Sequence, residues 1–179
     1  MLNDLYSDAL LEAAADIPEE GVLSDADASA RRSSKVCGSE VGVTLKMQDG
    51  VVADIALEVK ACALGQASSS ILARHIRGAS PTELYRVREE MLAMLKKDGP
   101  PPQGERWAAL EKLQPIKDYP ARHASTMLVF EAVVDCLERI ADKCVRLSAK
   151  DARQNKNLEP LSDSKGTRNA LNQMKDGTS

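Results

Sequence analysis

Cys37 and Cys62 point most directly to chemistry in this chain, because the segment between them has the pattern of a β-hairpin. Apolar residues alternate with polar or small ones over residues 41–47 and again over residues 51–59, and residues 48–50 interrupt the alternation. A hairpin returns the chain to its starting point, so both thiols are expected at its open end. Two neighbouring thiolates can bind zinc or the iron of a cluster, and one activated thiolate can attack another sulfur atom.

The length of the hairpin loop decides which residues face each other. A two-residue loop at Asp49 and Gly50 would place the apolar Val41 opposite the charged Glu58. A three-residue loop with Gly50 in the left-handed conformation pairs Val41 with Leu57 instead and keeps the apolar residues on one face. The sequence therefore predicts the three-residue loop.

Extended to the open end of the hairpin, this register places Cys37 opposite Ala61 and next to Cys62, with facing Cα atoms roughly 5 Å apart. Cys62 also separates a predicted strand from a predicted helix, where the helix dipole and free backbone N–H groups favour a thiolate. A single cysteine at such a junction is more often a small buried residue. The pairing with Cys37 is what favours a functional interpretation.

At 179 residues, with 43% hydrophobic and 28% charged residues, the chain is long enough for one domain with a substantial core. The net charge of −3 and the lack of a basic stripe with interleaved aromatics argue against nucleic-acid binding. No apolar run approaches the roughly 20 residues of a membrane span, and residues 1–30 contain no Lys or Arg, which argues against a targeting peptide. We therefore expect a cytoplasmic protein with reduced cysteines, which favours metal or sulfur chemistry over a structural disulfide.

Helical periodicity, capping residues and helix breakers outline the rest of the domain. The predicted helices are residues 3–15, 65–76, 81–97, 107–113 and 121–147. Residues 19–34 are predicted as an irregular polar arm, residues 98–104 as a loop and residues 114–120 as an extended link. Residues 148–179 contain few large apolar side chains, which predicts a disordered tail after a domain of residues 1–147.

The other cysteines and the histidines are weaker candidates. Cys136 lies on the apolar stripe of the last helix and is expected in the core, Cys144 lies near the end of that helix, and His75 lies on a polar helix side. His123, in the first turn of the last helix, could serve as a ligand, although a lone histidine is more often structural. The sequence contains no HExxH, GxGxxG, Walker or GxSxG motif, so the familiar enzyme classes have no support.

Several local patterns together resemble one known family. They are Val36-Cys37-Gly38 before a hairpin, Cys62 followed by Ala67-Ser68-Ser69-Ser70, and a final long helix entered through Pro120-Ala121-Arg122. In this arrangement they resemble the NifU N-terminal/IscU-type iron–sulfur cluster scaffolds over residues 5–140. The extra helical stretch between residues 78 and 113 is similar to that of the SufU-like branch.

The resemblance implies an α+β fold with a small three-stranded antiparallel sheet, helices packed on one face and a long C-terminal helix. It also implies a cysteine desulfurase as donor of persulfide sulfur and apo iron–sulfur proteins as recipients. The bound species would be a nascent [2Fe-2S] cluster, iron or a zinc ion.

The departures from the family pattern concern its ligands. An aspartate ligand normally follows the first cysteine by two positions, where this chain has Ser39, and the adjacent Glu40 should point to the other face of the strand. A third cysteine normally stands at the start of the last helix, where the ungapped match places Ser125. If the match shifts by one residue, the position is Ala124, preceded by His123. The candidates to complete a site are thus His123, Ser125 and Glu40.

Only Cys37 and Cys62 carry over directly from the family. The leading hypothesis is a cytoplasmic scaffold or carrier for iron–sulfur cluster assembly, a binding protein rather than a turnover enzyme, that binds iron or a [2Fe-2S] cluster through these two residues. A homodimer would supply four thiolates to one cluster. The alternatives are a zinc-dependent persulfide acceptor, with His123 and either water or Glu40 completing an open zinc site in one chain, and a ligand-depleted interaction module of the same fold.

Overall fold

The computed structural model describes residues 7–156 and has the predicted α+β fold, a three-stranded antiparallel sheet with helices and a long last helix. The strand order is β1-β2-β3, so each strand is hydrogen-bonded to the next one in sequence. In chain order the elements are α1 (Asp8–Ala15), β1 (Ala28–Ser33), β2 (Glu40–Gln48), β3 (Val51–Lys60), α2 (Ala63–His75), α3 (Pro81–Lys97), a 3₁₀ helix (Glu105–Asp118) and α4 (Pro120–Lys156).

The β2–β3 hairpin forms as predicted, but its loop has two residues, and the predicted three-residue loop is wrong. Gln48 pairs with Val51 across the turn. Asp49 and Gly50 have φ angles of 53° and 80°. Positive φ at both central positions is typical of the turn whose twist matches that of antiparallel strands. Asp-Gly is a favoured pair for this conformation, and this preference decides the loop length.

A β-bulge then matches the apolar faces that the longer loop was expected to match. The register shifts after Lys46, so that Val41 pairs with Val59 and Leu45 with Ile55. Val41, Leu45 and Ile55 are fully buried. The predicted partners of Val41 and Leu45 were each two residues away from the observed ones. Because two residues is one full period of a strand, the buried face was predicted correctly although the register was not.

The third strand lies in a segment whose pattern predicted an irregular arm. In β1 only Ala28 and Ala30 are buried, opposite Leu45 and Val43 of β2, while the following residues are exposed. Two alternating alanines are too small a signal to identify a strand. The irregular arm is therefore wrong for residues 28–33, and the three-stranded sheet implied by the family resemblance is confirmed.

The 3₁₀ helix replaces both the short helix and the extended link that were predicted there. Its buried residues are spaced by three, a period that places them on one side of a 3₁₀ helix but not of an α-helix. They are Trp107, Leu110, Leu113 and Ile116. Pro115 lies inside the element without ending it.

The helix α3 begins as predicted after Ser80. The Ser80 hydroxyl caps this helix by accepting a hydrogen bond from Glu83 N at 3.2 Å.

The core forms where α2, α3, the 3₁₀ helix and the first half of α4 pack with the sheet. Cys136 of α4 is fully buried, as predicted, and its Sγ donates to the Val43 carbonyl at 3.7 Å. None of the helices among residues 7–156 is long and apolar enough to cross a membrane.

The last helix continues to Lys156, beyond the predicted end at residue 147. The described chain divides into a compact unit up to Cys144 and a second unit from Val145 onward, of which the end of α4 is described. The rest of the predicted disordered tail, residues 157–179, lies outside the described residues. The division into a domain of residues 1–147 and a tail therefore stays a prediction.

Candidate functional site

Cys37 lies in the short loop of residues 34–39 that connects β1 to β2. Two backbone hydrogen bonds close this loop: Ser34 N donates to Ser39 O at 2.8 Å, and Gly38 N donates to Ser34 O at 2.9 Å. Gly38 has a φ of 68°, which glycine adopts without strain and which lets the chain turn back toward β2. The loop therefore holds Cys37 between two serines at its base.

Cys62 lies two residues after the end of β3 and is the N-cap residue of α2. Its carbonyl accepts a hydrogen bond from Gln66 N at 2.9 Å, while its side chain makes no capping bond to the helix. The β2–β3 ladder ends at the pair Glu40 and Lys60, so the ladder does not extend to Cys37 as predicted. The Cys37 loop and the start of α2 meet beyond the ladder instead.

The start of α4 joins this place because Gly65 of α2 permits a close approach. A Cβ atom on Gly65 would lie 2.8 Å from the Cβ of Ala61 and 3.2 Å from the backbone oxygen of Ser125. Any larger residue would push α2 and α4 apart. At the observed separation the Oγ of Ser125 lies 3.6 Å from the Sγ of Cys62.

Serine hydroxyls connect the two cysteines. The Oγ of Ser39 lies 3.1 Å from the Sγ of Cys37 and 3.4 Å from the backbone N of Cys62. The neutral Cys37 thiol donates to the Ser39 oxygen, and when Cys37 is ionised the Ser39 hydroxyl can rotate and donate to the thiolate instead. Ser125 differs, since its hydroxyl donates to the Arg122 carbonyl at 2.9 Å and its oxygen accepts from the Cys62 thiol.

Serine hydroxyls around Cys37 lower its pKa from the ordinary 9.0 to about 7. The largest contribution comes from the hydroxyl of Ser34 and the next from that of Ser39, with smaller ones from the Ser39 N–H and from Ser125, while partial burial acts in the opposite direction. A thiol with this pKa is about half ionised at neutral pH. Cys37 therefore offers a thiolate, the form that binds metals and attacks sulfur.

The structure does not bring His123 or Glu40 to the two cysteines. His123 is buried, and its Nε2 lies 3.1 Å from the Ile116 carbonyl and 3.0 Å from the Lys117 carbonyl. Glu40 lies on the outer face of the sheet in an ion pair with Arg31. Within residues 7–156 no three His, Cys, Asp or Glu side chains come close enough together to hold a metal ion. The described residues therefore do not assemble the expected open zinc site, in which His123 and either water or Glu40 join the two cysteines.

Of the candidates to complete the site, Ser125 is the one that contacts a thiol. The sequence reasoning missed the roles of Ser34 and Gly65. Ser34 could have been found because two serines flank Cys37, three positions before it and two after it, once the β1 strand was recognised. Gly65 had no comparable signal, because its role depends on the distance between two helices that are far apart in sequence.

The sequence of this chain is similar to those of several known proteins. A family described as the NifU-like N terminal domain matches residues 5–126. The chain is 30% identical over 142 residues to the iron–sulfur cluster assembly scaffold protein IscU of Thermotoga maritima, covering 76% of this chain and 95% of that protein. It is 23% identical over 135 residues to the zinc-dependent sulfurtransferase SufU of Bacillus subtilis, covering 74% and 88%.

One solved structure has a higher sequence identity to this chain than these two proteins have. The crystal structure of the N-terminal part of a nitrogen-fixing NifU-like protein from Brucella abortus is 51% identical, with a TM-score of 0.77. The match covers 79% of this chain and 98% of that structure. The family match over residues 5–126 includes the elements that carry Cys37, Cys62 and Ser125.

Proposed function

The chain belongs to the NifU-like N-terminal domain family, and from this membership we propose that it is a scaffold or carrier that holds iron or a [2Fe-2S] cluster through Cys37 and Cys62. The family is that of the IscU-, SufU- and NifU-like proteins of iron–sulfur cluster assembly. The observation that supports the proposal is that the Ser39 hydroxyl contacts both the Cys37 sulfur and the backbone N–H of Cys62. Two thiolates from the same end of the sheet would supply half of the four-thiolate shell that a [2Fe-2S] cluster prefers.

The donor set decides how such a cluster would be held. Ser39 and Ser125 supply hydroxyls where carboxylate, imidazole or thiolate would be needed to complete a metal shell in one chain. A second copy would supply two further thiolates, so we propose that a cluster is bound between two chains. The same donor set fits a resident zinc ion poorly, because the residues described offer it two protein ligands of the usual kinds.

Anaerobic reconstitution with ferrous iron and sulfide tests this proposal. We expect visible absorption of a [2Fe-2S] cluster at one cluster per two chains, together with a shift from monomer to dimer in size-exclusion chromatography. Cys37→Ala and Cys62→Ala should each abolish the absorption. Cys144→Ala, which changes an exposed thiol outside the site, serves as the matched control and should leave it unchanged. A cluster that forms equally well in the Cys37→Ala and Cys62→Ala variants would contradict the proposed ligands.

A second candidate function is sulfur acceptance, and the lowered pKa of Cys37 favours it. In this step the Cys37 thiolate attacks the terminal sulfur of a donor persulfide, the donor S–S bond breaks, and the donor leaves as a thiolate. The sulfur is transferred without net oxidation or reduction, and the persulfide proton stays with it. A cysteine desulfurase is the proposed donor, and apo iron–sulfur proteins in the cytoplasm are the proposed recipients of the product.

Mass spectrometry separates the two candidates. Sulfur acceptance predicts a gain of one sulfur atom on Cys37 after exposure to a desulfurase and cysteine, in the absence of iron, with loss of that gain in Cys37→Ala. A chain that binds the desulfurase but takes up neither sulfur nor cluster would instead support a ligand-depleted interaction module of the same fold.

A further inference from the structure

A groove with a volume of about 750 Å³ lies between α3 and the start of α4 and reaches the end of β1. Apolar side chains from the two helices line it, namely Leu92 and Leu95 of α3 and Pro120, Ala124, Met127 and Leu128 of α4. Leu95, Met127 and Leu128 are buried, whereas the other three remain accessible to solvent. An apolar groove that water can reach is a candidate binding surface, and we call it the α3–α4 groove.

The spacing of the lining residues suits a helical partner. Along α4 they recur every three or four residues and therefore form one stripe on that helix. Leu92 and Leu95, three residues apart, form a short stripe on α3. Two apolar helix faces beside each other form the kind of groove into which an amphipathic helix lays its apolar side.

The charged side chains of the groove make it positive. Its lining contains three Lys or Arg side chains and one Glu, which are Arg32, Lys96, Lys117 and Glu131. The Glu131 carboxylate is already paired with Arg88, whose Nε donates to it at 3.0 Å. The whole chain has the opposite sign, with a net charge of −3. A positive surface on an acidic chain favours a partner that presents acidic side chains.

Lys96 differs from the other two cations of the groove. Arg32 donates to both carboxylate oxygens of Asp135 at 2.6 Å, and Lys117 donates to Asp98 at 2.6 Å. Lys96 is exposed in the last turn of α3 and makes no hydrogen bond or ion pair within residues 7–156. Its ammonium group is therefore available to a carboxylate at the edge of the groove.

We propose that the α3–α4 groove binds a segment of a partner protein in which apolar side chains at helical spacing lie beside an acidic side chain. A second copy of this chain fits less well, because symmetric pairing of the groove with itself would bring the same cations together. Ser33, at the β1 end of the groove, directly precedes the loop that carries Cys37, so a bound partner is held beside the candidate site. Docking here does not depend on which ligand the two cysteines hold.

Fluorescence anisotropy with two labelled synthetic peptides tests this docking on the full-length protein, without iron or sulfide. Both peptides are amphipathic helices with leucines on one face, and they differ only in carrying glutamate or lysine beside that face. We expect the glutamate peptide to bind wild type more tightly than the lysine peptide does. Lys96→Glu should weaken binding of the glutamate peptide about fivefold and strengthen binding of the lysine peptide.

Two further variants locate the bound peptide. Lys97→Glu makes the same charge change one residue along α3, outside the groove lining, and should change the affinity by less than about twofold. Ala124→Trp fills the groove from an exposed position and should weaken binding by about tenfold or more, while circular dichroism shows that the variant is folded.

Three results would overturn the proposed docking site. They are no measurable binding of the glutamate peptide, equal effects of Lys96→Glu and Lys97→Glu, and wild-type affinity in Ala124→Trp. Conversion of a wild-type dimer into a monomer by Ala124→Trp would also overturn it, because the groove would then belong to an interface with a second copy. Each of these results leaves the proposed cluster binding untouched, since the peptides are measured on protein without iron or sulfide.

Discussion

Cys37 and Cys136 carry the same side chain in one domain, yet their surroundings give the two thiols opposite properties. Cys37 lies in a loop at the end of the sheet, where serine hydroxyls lower its pKa to about 7. Cys136 lies beneath the sheet with no exposed surface, and burial raises its pKa to about 12. The Ser39 hydroxyl lies 3.1 Å from the Cys37 sulfur, and the Val43 carbonyl accepts from the Cys136 thiol at 3.7 Å.

The type of neighbour and the access of water explain the difference. Serine hydroxyls donate to the Cys37 thiolate and favour it, whereas burial in the core disfavours the charged form of Cys136. Water also reaches the loop that carries Cys37, whereas Cys136 is buried in the core with no exposed surface. The domain therefore combines an exposed loop that stabilises a thiolate with a core that disfavours charge, and both regions adjoin β2.

The largest expected effect of this difference is on alkylation. At pH 7 iodoacetamide should modify Cys37 on the order of 1,000-fold or more faster than Cys136, because Cys37 is about half ionised and Cys136 is both neutral and buried. Peptide mass spectrometry over time measures both rates in one sample. In guanidinium the two rates should become similar. Comparable rates in the folded protein would remove the distinction between the two regions.

A core substitution should have the next largest effect, and on stability rather than chemistry. Leu45→Ala removes a fully buried side chain and should lower the free energy of unfolding by about 3 kcal/mol. At pH 7, Cys37→Ala, made in the loop, should change it by less than about 0.5 kcal/mol. Urea denaturation followed by circular dichroism gives both values. A large loss in Cys37→Ala would mean that the loop is part of the stabilising core.

Gly65→Ala tests the contact between the helices that meet at the site. Alanine favours a helix by about 1 kcal/mol over glycine, but its Cβ would lie 2.8 Å from Ala61 and 3.2 Å from the Ser125 carbonyl. We expect the clash to dominate and to lower the unfolding free energy by about 1 kcal/mol net, with weaker cluster binding. Gln66→Ala, one residue further along α2, is the control and should leave both unchanged. Stabilisation by Gly65→Ala would show that the two helices are not tightly packed here.

The smallest expected effect at neutral pH is the contribution of Cys37 ionisation to stability, and this contribution depends on pH. The folded protein lowers the pKa of Cys37 from 9.0 to about 7, so the unfolded chain holds more protons on this thiol between those values. Its contribution to stability should be fully present above about pH 9 and be lost as the pH falls through 7. Thermal unfolding of wild type and Cys37→Ala across this range should show a difference that grows with pH. A difference that shrinks with rising pH would contradict the lowered pKa.

The features of the fold that follow from local patterns could be predicted from the sequence. Alternation identified the buried faces of β2 and β3, and capping residues identified α3, because each of these signals depends on neighbouring residues. The loop length was predicted wrongly because the structure uses the two-residue turn that Asp-Gly prefers. A bulge after Lys46 then brings the apolar residues onto one face. The strand β1 was not predicted because its two buried residues are alanines, which give a weak apolar signal.

The candidate site was predictable in its two cysteines and not in its surroundings. Cys37 and Cys62 were placed together by the hairpin, although the register was wrong, since any hairpin of this length returns the chain to the same end. The contribution of Ser34 to the Cys37 thiolate depends on a loop that only the third strand defines. The position of Ser125 depends on the packing of α2 against α4, which no local pattern encodes.

The most direct test of the central claim is metal and sulfide analysis of the protein purified without oxygen, combined with its mass in solution. We expect one iron and one sulfide per chain in a dimer, and loss of both in Cys62→Ala. One zinc ion per monomer without sulfide, retained in Cys62→Ala, would contradict a cluster shared through the paired cysteines.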